Sequence, residues 1–346
     1  MSIRIVQAMA GSKHGGAEAF FVRLCIALNK IGIEQTIITR PMEKRVSTLR
    51  NAGIKVHTAR FGNVFDVGTR KIIASAIDKS KSQIVLTWMN RATKHCPKSN
   101  KELCFKHIGR LGGYYNLKYY KKCDYLVGNT LGICHWLSNN GWPDERIKYL
   151  PNFVLEKSSN SIRRSLMQTP EDVSVVLAAG RLHYNKGFDI LIKAISKLKN
   201  VHLWLAGDGP IKKKLFDLSK ELNVNNRVHF LGWREDMSAL YASADLFVCP
   251  SRHEPLGNVI LEAWAHGLPV LSSSVQGPSE LISNGENGIL VPADNYLALY
   301  SALGDVLNDK KKLDQLGISG RSIFEKKFSE KIVITKFNNF FESLVS

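Results

Sequence analysis

The chain has 346 residues, 44% hydrophobic and 23% charged, which is the composition of a soluble globular protein and predicts two domains of about 150 residues each. No apolar run approaches the roughly 18–20 residues needed to cross a bilayer, and the first residues, MSIRIVQAMAGSKHGG, lack the basic leader and apolar length of a signal peptide. The formal net charge of +18 is uneven: residues 1–156 hold 25 lysines and arginines against 10 acids, whereas the remainder holds 23 against 20, so the first half calls for an anionic partner such as phosphorylated lipid, nucleic acid or a membrane surface.

In chain order, IRIVQAM (3–9) reads as a strand, and Gly15-Gly16 opens a helix through AEAFFVRLCIALNKIG, whose apolar residues recur at helical spacing. QTIIT (35–39), IKVHT (54–58) and QIVLTW (83–88) read as short buried strands between helical stretches. The run YYNLKYYKK (114–122) alternates tyrosine with lysine. It is compatible with an amphipathic helix resting in lipid headgroups, with stacking on nucleic acid, or with a partly packed helix. DYLVGNT (124–130) is a strand followed by a helix to Asn139, and RIKYLPNF (146–153) closes the series.

Residues 156–172, EKSSNSIRRSLMQTPED, lack periodicity and read as a linker. A second strand–helix series follows, with strands VSVVLAAG (173–180), VHLWLAG (201–207), RVHFLG (227–232), ADLFVCP (244–250), LPVLSS (268–273) and NGILVP (287–292). Two such series predict an α/β protein of two doubly wound, Rossmann-like domains with mostly parallel sheets, spanning 1–156 and 157–328. The amphipathic helix of 329–346 is expected to return to the first domain. Ligands of such sheets bind beyond the carboxyl ends of the strands, and the cleft between the domains is the expected site.

None of the six cysteines forms a CxxC pair, and the Cys134-His135 pair with Cys123 fits no zinc spacing, so they read as reduced thiols of a cytosolic protein.

The segment HEPLGNVILEAWAHG (253–267) carries the densest chemistry. Glu254 and Glu262 flank a glycine turn and a helix start near Gly257-Asn258. The first amides of a helix lack internal partners and its dipole is positive there, which makes an anion site suited to phosphate. Carboxylates beside such a site are suited to vicinal hydroxyls, because one carboxylate accepts two hydrogen bonds. Glu254 and Glu262 therefore read as gripping hydroxyls on either side of a diphosphate. Upstream, GRLHYNKG (180–187) places Arg181 and Lys186 at the carboxyl end of another strand. Arginine supplies a forked phosphate ligand and lysine a point charge. Asp208 in AGDGP reads as a turn and helix cap.

In order, GRLHYNKG, AGDGP, RVHFLG, ADLFVCPS, the two spaced glutamates, GLPVL and NGENGILVP resemble the nucleotide-sugar domain of GT-B glycosyltransferases, specifically glycosyltransferase family 4, over roughly residues 173–292. The N-terminal GGAE is similar to that family's glycine loop, and GRLGGYYNLKYYKKCDYLVGNT with LPNF resembles a bacterial subgroup associated with lipopolysaccharide sugar transfer. The resemblance implies a retaining transfer of a hexose-type sugar from a nucleotide diphosphate sugar to an anionic glycolipid or saccharide.

By motif position, Arg181 and Lys186 would hold the diphosphate and Glu262 the ribose. Glu254 would hold the donor sugar, with amides from Leu256, Gly257 and Asn258. Gly15 and Gly16 would approach the donor closely, and His253 would line the pocket. Relatives carry a first-domain loop histidine near the reacting carbon, for which His107 in CFKHIGRLGGYY, close to Arg110, is the candidate.

The resemblance also implies that the leaving phosphate takes the acceptor proton on the same face. With no Asp-x-Asp in the chain, no metal or other cofactor is expected. The expected location is the cytoplasmic side of the inner membrane, held peripherally by the basic first domain. Three other functions compete with this one. A basic nucleic-acid-binding protein explains the charge but not the ordered motifs. A nicotinamide oxidoreductase needs GxGxxG after the first strand, where this chain has GSKHGG. A GT-B sugar-nucleotide epimerase would not need a basic half.

Overall fold

The computed structural model describes residues 3–12, 15–63, 65–156 and 159–345 and divides the chain into two units. The first comprises residues up to Phe153 together with Glu330–Ser346, and the second comprises Val154–Ser329. Lys13 and His14 of the glycine loop lie outside the described residues.

The first unit runs β1 (Arg4–Met9), α1 (Gly16–Lys30), β2 (Glu34–Thr39), α2 (Glu43–Asn51), β3 (Lys55–Thr58), α3 (Val67–Ser80), β4 (Ile84–Trp88), α4 (Met89–His95), β5 (Lys106–Leu111), β6 (Tyr125–Gly128), α5 (Leu131–Asn139) and β7 (Ile147–Tyr149). All neighbours in its sheet are parallel, in the order β3-β2-β1-β4-β5-β6-β7. Helices on both faces explain why its strands read as continuous apolar runs. In β1 the period of two is explicit. Ile5 and Met9 join a core with Phe20, Phe21 and Leu24 of α1, whereas Val6 and Ala8 join the opposite core with Ile73 and Ile77 of α3.

Gln7 is buried on the α1 side, and both its amide nitrogen and its amide oxygen are hydrogen-bonded. Its Nε2 donates to Gln35 Oε1 at 2.8 Å, and its Oε1 accepts from Trp88 Nε1 at 3.0 Å. Gln35 Nε2 in turn donates to the Cys25 carbonyl at 2.7 Å. Satisfied in this way, the buried amides avoid a desolvation cost of about 1–3 kcal/mol each.

The second unit runs β8 (Ser174–Ala179), α6 (Phe188–Ser196), β9 (Val201–Ala206), α7 (Lys212–Glu221), β10 (Val228–Gly232), α8 (Met237–Ser243), β11 (Leu246–Cys249), α9 (Asn258–Ala265), β12 (Val270–Ser273), α10 (Gln276–Leu281), β13 (Ile289–Val291), α11 (Tyr296–Leu307) and α12 (Lys310–Lys327). Its sheet is also parallel, in the order β10-β9-β8-β11-β12-β13. The chain then returns to the first unit as α13 (Glu330–Val345), which buries Val333, Ile334, Phe337, Phe340 and Phe341 in the α1-side core. Each such side chain contributes about 1.5–3 kcal/mol.

Three local expectations change. Residues 106–111 form β5, an interior strand between β4 and β6, with His107 inside it rather than in a loop. The 114–122 run contains one 3-10 turn, Leu117–Tyr119, capped by the Asn116 side chain, and Tyr120 is fully buried in a core with Leu111, Leu126 and Leu137. It is therefore not a regular amphipathic helix with a lipid-facing side. The segment read as a linker is stitched to the second unit: Ile162 N donates to Ser243 Oγ at 2.8 Å, Arg164 pairs with Asp245 at 2.8 Å, and Trp204 Nε1 donates to Thr169 Oγ1 at 2.9 Å.

Candidate active site

In the second sheet the chain order reverses between β8 and β11, its topological switch point. In an open parallel sheet the loops leaving the two strands on either side of that point diverge and leave room for a ligand at the carboxyl edge. Those two loops are residues 180–187 and 250–257, the two segments richest in candidate residues. Arg252 N and His253 N both donate to the Asn185 carbonyl, at 2.8 and 3.2 Å, which joins the loops through the backbone. Gly187 sits at φ 64° as the N-cap of α6, and a Cβ there would lie 2.0 Å from the Pro250 carbonyl oxygen. Glycine is therefore required twice over, by conformation and by the approach of the second loop.

Lys186 Nζ and Glu254 Oε2 form an ion pair across this junction. Glu254 is 8% exposed. Its Oε1 accepts from Gly257 N at 3.3 Å, and Ser251 Oγ lies 3.5 Å from Oε2. Burial disfavours the charge on Lys186, but the adjacent Glu254 carboxylate outweighs it and holds the ammonium pKa above its ordinary value. The Glu254 carbonyl accepts from Gly277 N of α10 at 2.9 Å, where a Cβ would approach to 2.7 Å. The loop is thus fixed from behind by α10.

Helix α9 begins at Asn258 after Gly257 in the left-handed region at φ 86°, and its N-cap glycine brings no side chain of its own to cap it. Leu256 and Gly257 are buried there, whereas His253 and Arg181 are exposed. Glu262 lies on the second turn of α9, half-buried, and accepts from Tyr241 Oη of α8 at 3.1 Å. Burial raises the Tyr241 phenol well above its usual pKa and the Glu262 charge raises it further, so Tyr241 remains a donor to that carboxylate. His266 stacks on Tyr241 with ring centroids 5.1 Å apart.

The structure brings together Lys186, Glu254, Leu256, Gly257 and Asn258 at the switch point, with Glu262 one turn along α9. It also supplies a residue that the motif reading missed. Arg252 forks onto Asp189 of α6 at 2.8 and 2.7 Å, donates from Nε to Asp294 at 2.8 Å, and stacks its guanidinium on Tyr184 at 4.0 Å. Direct bonds to Asp189 are the first cause of its raised pKa. One arginine therefore ties the loops after β8, β11 and β13 together. Its only sequence signal is an arginine beside His253-Glu254, because both carboxylate partners are distant in the chain.

Gly15 and Gly16 lie elsewhere, at the start of α1 in the first unit, where the Glu18 carboxylate accepts from Ser12 N at 2.7 Å. His107 requires a correction. It is the second residue of β5, 1% exposed, with Nε2 bonded to Thr87 Oγ1 at 2.9 Å and 3.8 Å from Cys123 Sγ. Burial lowers its pKa to about 4, against the opposing pull of Asp124. The carboxyl end of β5 is at Leu111, so His107 occupies the wrong end of the strand for a group that meets ligand. Among the described residues, no group of three or more His, Cys, Asp or Glu side chains is placed to hold a metal ion.

Residues 173–309 match the family described as glycosyl transferases group 1. Over 324 residues the chain is 36% identical to the lipopolysaccharide core biosynthesis glycosyltransferase LpsE of Rhizobium meliloti, covering 93% of this chain and 94% of that protein. It is 31% identical to LpsD of the same organism, also named a lipopolysaccharide core biosynthesis glycosyltransferase, over 95% of each chain. Among solved structures, Anabaena HepE in complex with UDP and glucose superposes with a TM-score of 0.84 at 21% identity, covering 99% of this chain and 100% of that one. The chain belongs to the group 1 glycosyltransferases, and its fold is GT-B.

Proposed function

We propose that this glycosyltransferase moves a hexose-type sugar from a nucleoside diphosphate sugar to an anionic saccharide or glycolipid in lipopolysaccharide core synthesis, with retention of configuration and without a metal ion. The observation that carries the reading is the Lys186–Glu254 pair at the β8/β11 switch point, directly before the N-terminus of α9. The names of LpsE and LpsD, matched along nearly the whole chain, support the acceptor class, and the HepE complex supports a nucleoside diphosphate donor.

In this reading Arg181 and Lys186 take the diphosphate. When phosphate replaces Glu254 as the partner of Lys186, the Glu254 carboxylate is released to accept hydrogen bonds from donor-sugar hydroxyls. Glu262, oriented by Tyr241, takes the ribose hydroxyls. The amides of Leu256, Gly257 and Asn258 face the sugar and phosphate, and Gly15 and Gly16 of the first unit offer the close backbone approach that a donor needs. His253 lines the pocket. The bond from the anomeric carbon to the leaving phosphate breaks, the acceptor oxygen bonds to that carbon on the same face, and its proton passes to the leaving phosphate. Negative charge grows on the diphosphate during this step, so cations and helix amides that strengthen their hold there lower the barrier.

No helix among the described residues is long and apolar enough to cross a membrane. We place the enzyme peripherally on the cytoplasmic face, held by the excess positive charge of residues 1–156.

The test is transfer from UDP-, GDP- and ADP-hexoses to truncated lipopolysaccharide core in EDTA, with the product anomer assigned by NMR. One donor is expected to give product with its configuration retained. An inverted product, or activity abolished by EDTA and restored by a divalent ion, would defeat the mechanism.

A further inference from the structure

The Lys186–Glu254 pair joins the 180–187 and 250–257 loops only while its two side chains face each other. In the donor reading a phosphate takes Lys186, so the pair cannot hold the loops in register while the donor is bound. Two further ties cross the same junction, and neither uses a group assigned to the donor. One is the Asn185 carbonyl, which accepts from Arg252 N at 2.8 Å and His253 N at 3.2 Å. The other is the Arg252 side chain.

That side chain is 14% exposed. Its Nη1 donates to the Tyr184 carbonyl at 2.9 Å and to Asp189 Oδ1 at 2.8 Å, and its Nη2 donates to Asp189 Oδ2 at 2.7 Å. Nε donates to Asp294 Oδ1 at 2.8 Å, and Nη2 lies 2.8 Å from the same oxygen. A guanidinium has five N–H donors, and here each is directed at an acceptor, which leaves none for a substrate. Burial opposes the Asp189 charge, but the bonds from Arg252 outweigh it and hold that carboxyl below its ordinary pKa. Asp294 sits at φ 60°, a left-handed conformation that aspartate adopts more readily than most residues. An isolated surface ion pair does little to fix geometry. A planar fork with two carboxylates and a carbonyl in set positions does fix it. The segments it joins are the turn that presents Lys186, the loop that presents Glu254 and the loop after β13.

We propose that Arg252 is a positioning residue for the transfer: without touching the donor, it keeps the Lys186 and Glu254 segments at a fixed separation, so that diphosphate and sugar hydroxyls meet groups already in place. The inference rests on the donor reading and adds to it a residue outside the ligand contacts. Loops ordered in advance lower the cost of binding. Loss of Arg252 is therefore felt by the diphosphate and sugar of the donor. The nucleoside, whose ribose Glu262 takes in that reading, is held from α9 and is spared.

The test is calorimetric titration of the full chain in EDTA with UDP-glucose, GDP-mannose and ADP-glucose, each beside its monophosphate, UMP, GMP or AMP. Arg252→Lys keeps the charge but replaces the fork by a point. Asp294→Asn cuts one tie at an exposed position whose left-handed backbone asparagine tolerates, so it leaves the fold in place. For the sugar nucleotide that the parent prefers, affinity is expected to fall about tenfold in Arg252→Lys and about threefold in Asp294→Asn, with the matching monophosphate changed less than about twofold in both. Equal losses for sugar nucleotide and monophosphate would make the arginine a structural tie alone, and unchanged affinity for both would make it dispensable; either overturns the inference. If Arg252→Lys does not fold, the same ratio in Asp294→Asn decides. A parent chain that binds none of the sugar nucleotides defeats the donor reading and the inference with it, whereas a parent that binds and variants that do not discriminate defeat the inference alone.

Discussion

Lys186 and Glu254 neutralise each other at the junction of the 180–187 and 250–257 loops, where the proposed donor phosphate would come between them. That makes the pair both a fold element and a latch. Removing one partner strands the other charge in a site that is 8% exposed at Glu254, whereas removing both leaves an apolar contact. Lys186→Met is therefore expected to lower the stability of the second unit by about 3 kcal/mol, and Lys186→Met/Glu254→Leu by distinctly less. Urea unfolding of the three chains checks this, and a double variant as unstable as the single would show that the pair carries no buried coupling. Local spacing made these two residues legible, because each belongs to a short motif at a strand's carboxyl end. Arg252 was not legible in the same way: its partners Asp189 and Asp294 lie far off in sequence, and only folding brings their loops to one arginine. His107 was misplaced because its neighbours Gly109 and Arg110 disguise a strand.

The elements themselves follow from pattern wherever one face is apolar. β1, β4, β8 and β9 are nearly uninterrupted hydrophobic runs, and each was readable within a residue or two of its ends. β5 is the exception. KHIGRL has the wrong propensities for a strand, yet pairing with β4 and β6 on either side overrides them. Gly109 is small because Tyr120 packs where its Cβ would be, at 2.7 Å. The same burial of Tyr120 explains why tyrosines and lysines at helical spacing end in a single 3-10 turn.

The glycine at the start of α6 shows what element junctions demand. Gly187→Val meets both a left-handed backbone and the Pro250 carbonyl, and is expected to cost about 3 kcal/mol or more and to displace the 250–257 loop. Gly285→Ala has the same sign of φ, at 81°, but open space around it, and is expected to cost only about 1 kcal/mol. Chemical denaturation of both variants separates conformational strain from collision. Equal losses would contradict the close approach of the two loops.

As a whole, the molecule repeats one architectural rule. In both sheets the strand order runs outward from the first strand in one direction and then outward in the other, so each unit has a switch point of its own. The two are chemically different. The second unit's edge carries a paired lysine and glutamate, a helix start behind a left-handed glycine and an arginine held by two aspartates. The first unit's edge carries Arg40, bonded to the backbone carbonyls of the turn after β3, and belongs to the strongly basic part of the chain. Fold class and the motifs at the β8/β11 edge are legible because they are local and ordered. The contact of Arg40 with the turn after β3 is not, because Arg60 and Phe61 belong to a separate segment that only the sheet brings to it.

The central claim is that the β8/β11 edge binds a nucleoside diphosphate. The direct measurement is a thermal-shift comparison of UDP, GDP, ADP and CMP in EDTA on the parent chain and on Arg181→Ala and Glu262→Ala. A ligand that binds only the folded state raises its melting temperature, by about 2.7 kcal/mol of stabilisation at a hundredfold excess over Kd. One diphosphate is expected to raise the transition of the parent and to lose most of that effect in both variants. No shift with any nucleotide, or a shift equal in all three chains, would contradict the claim.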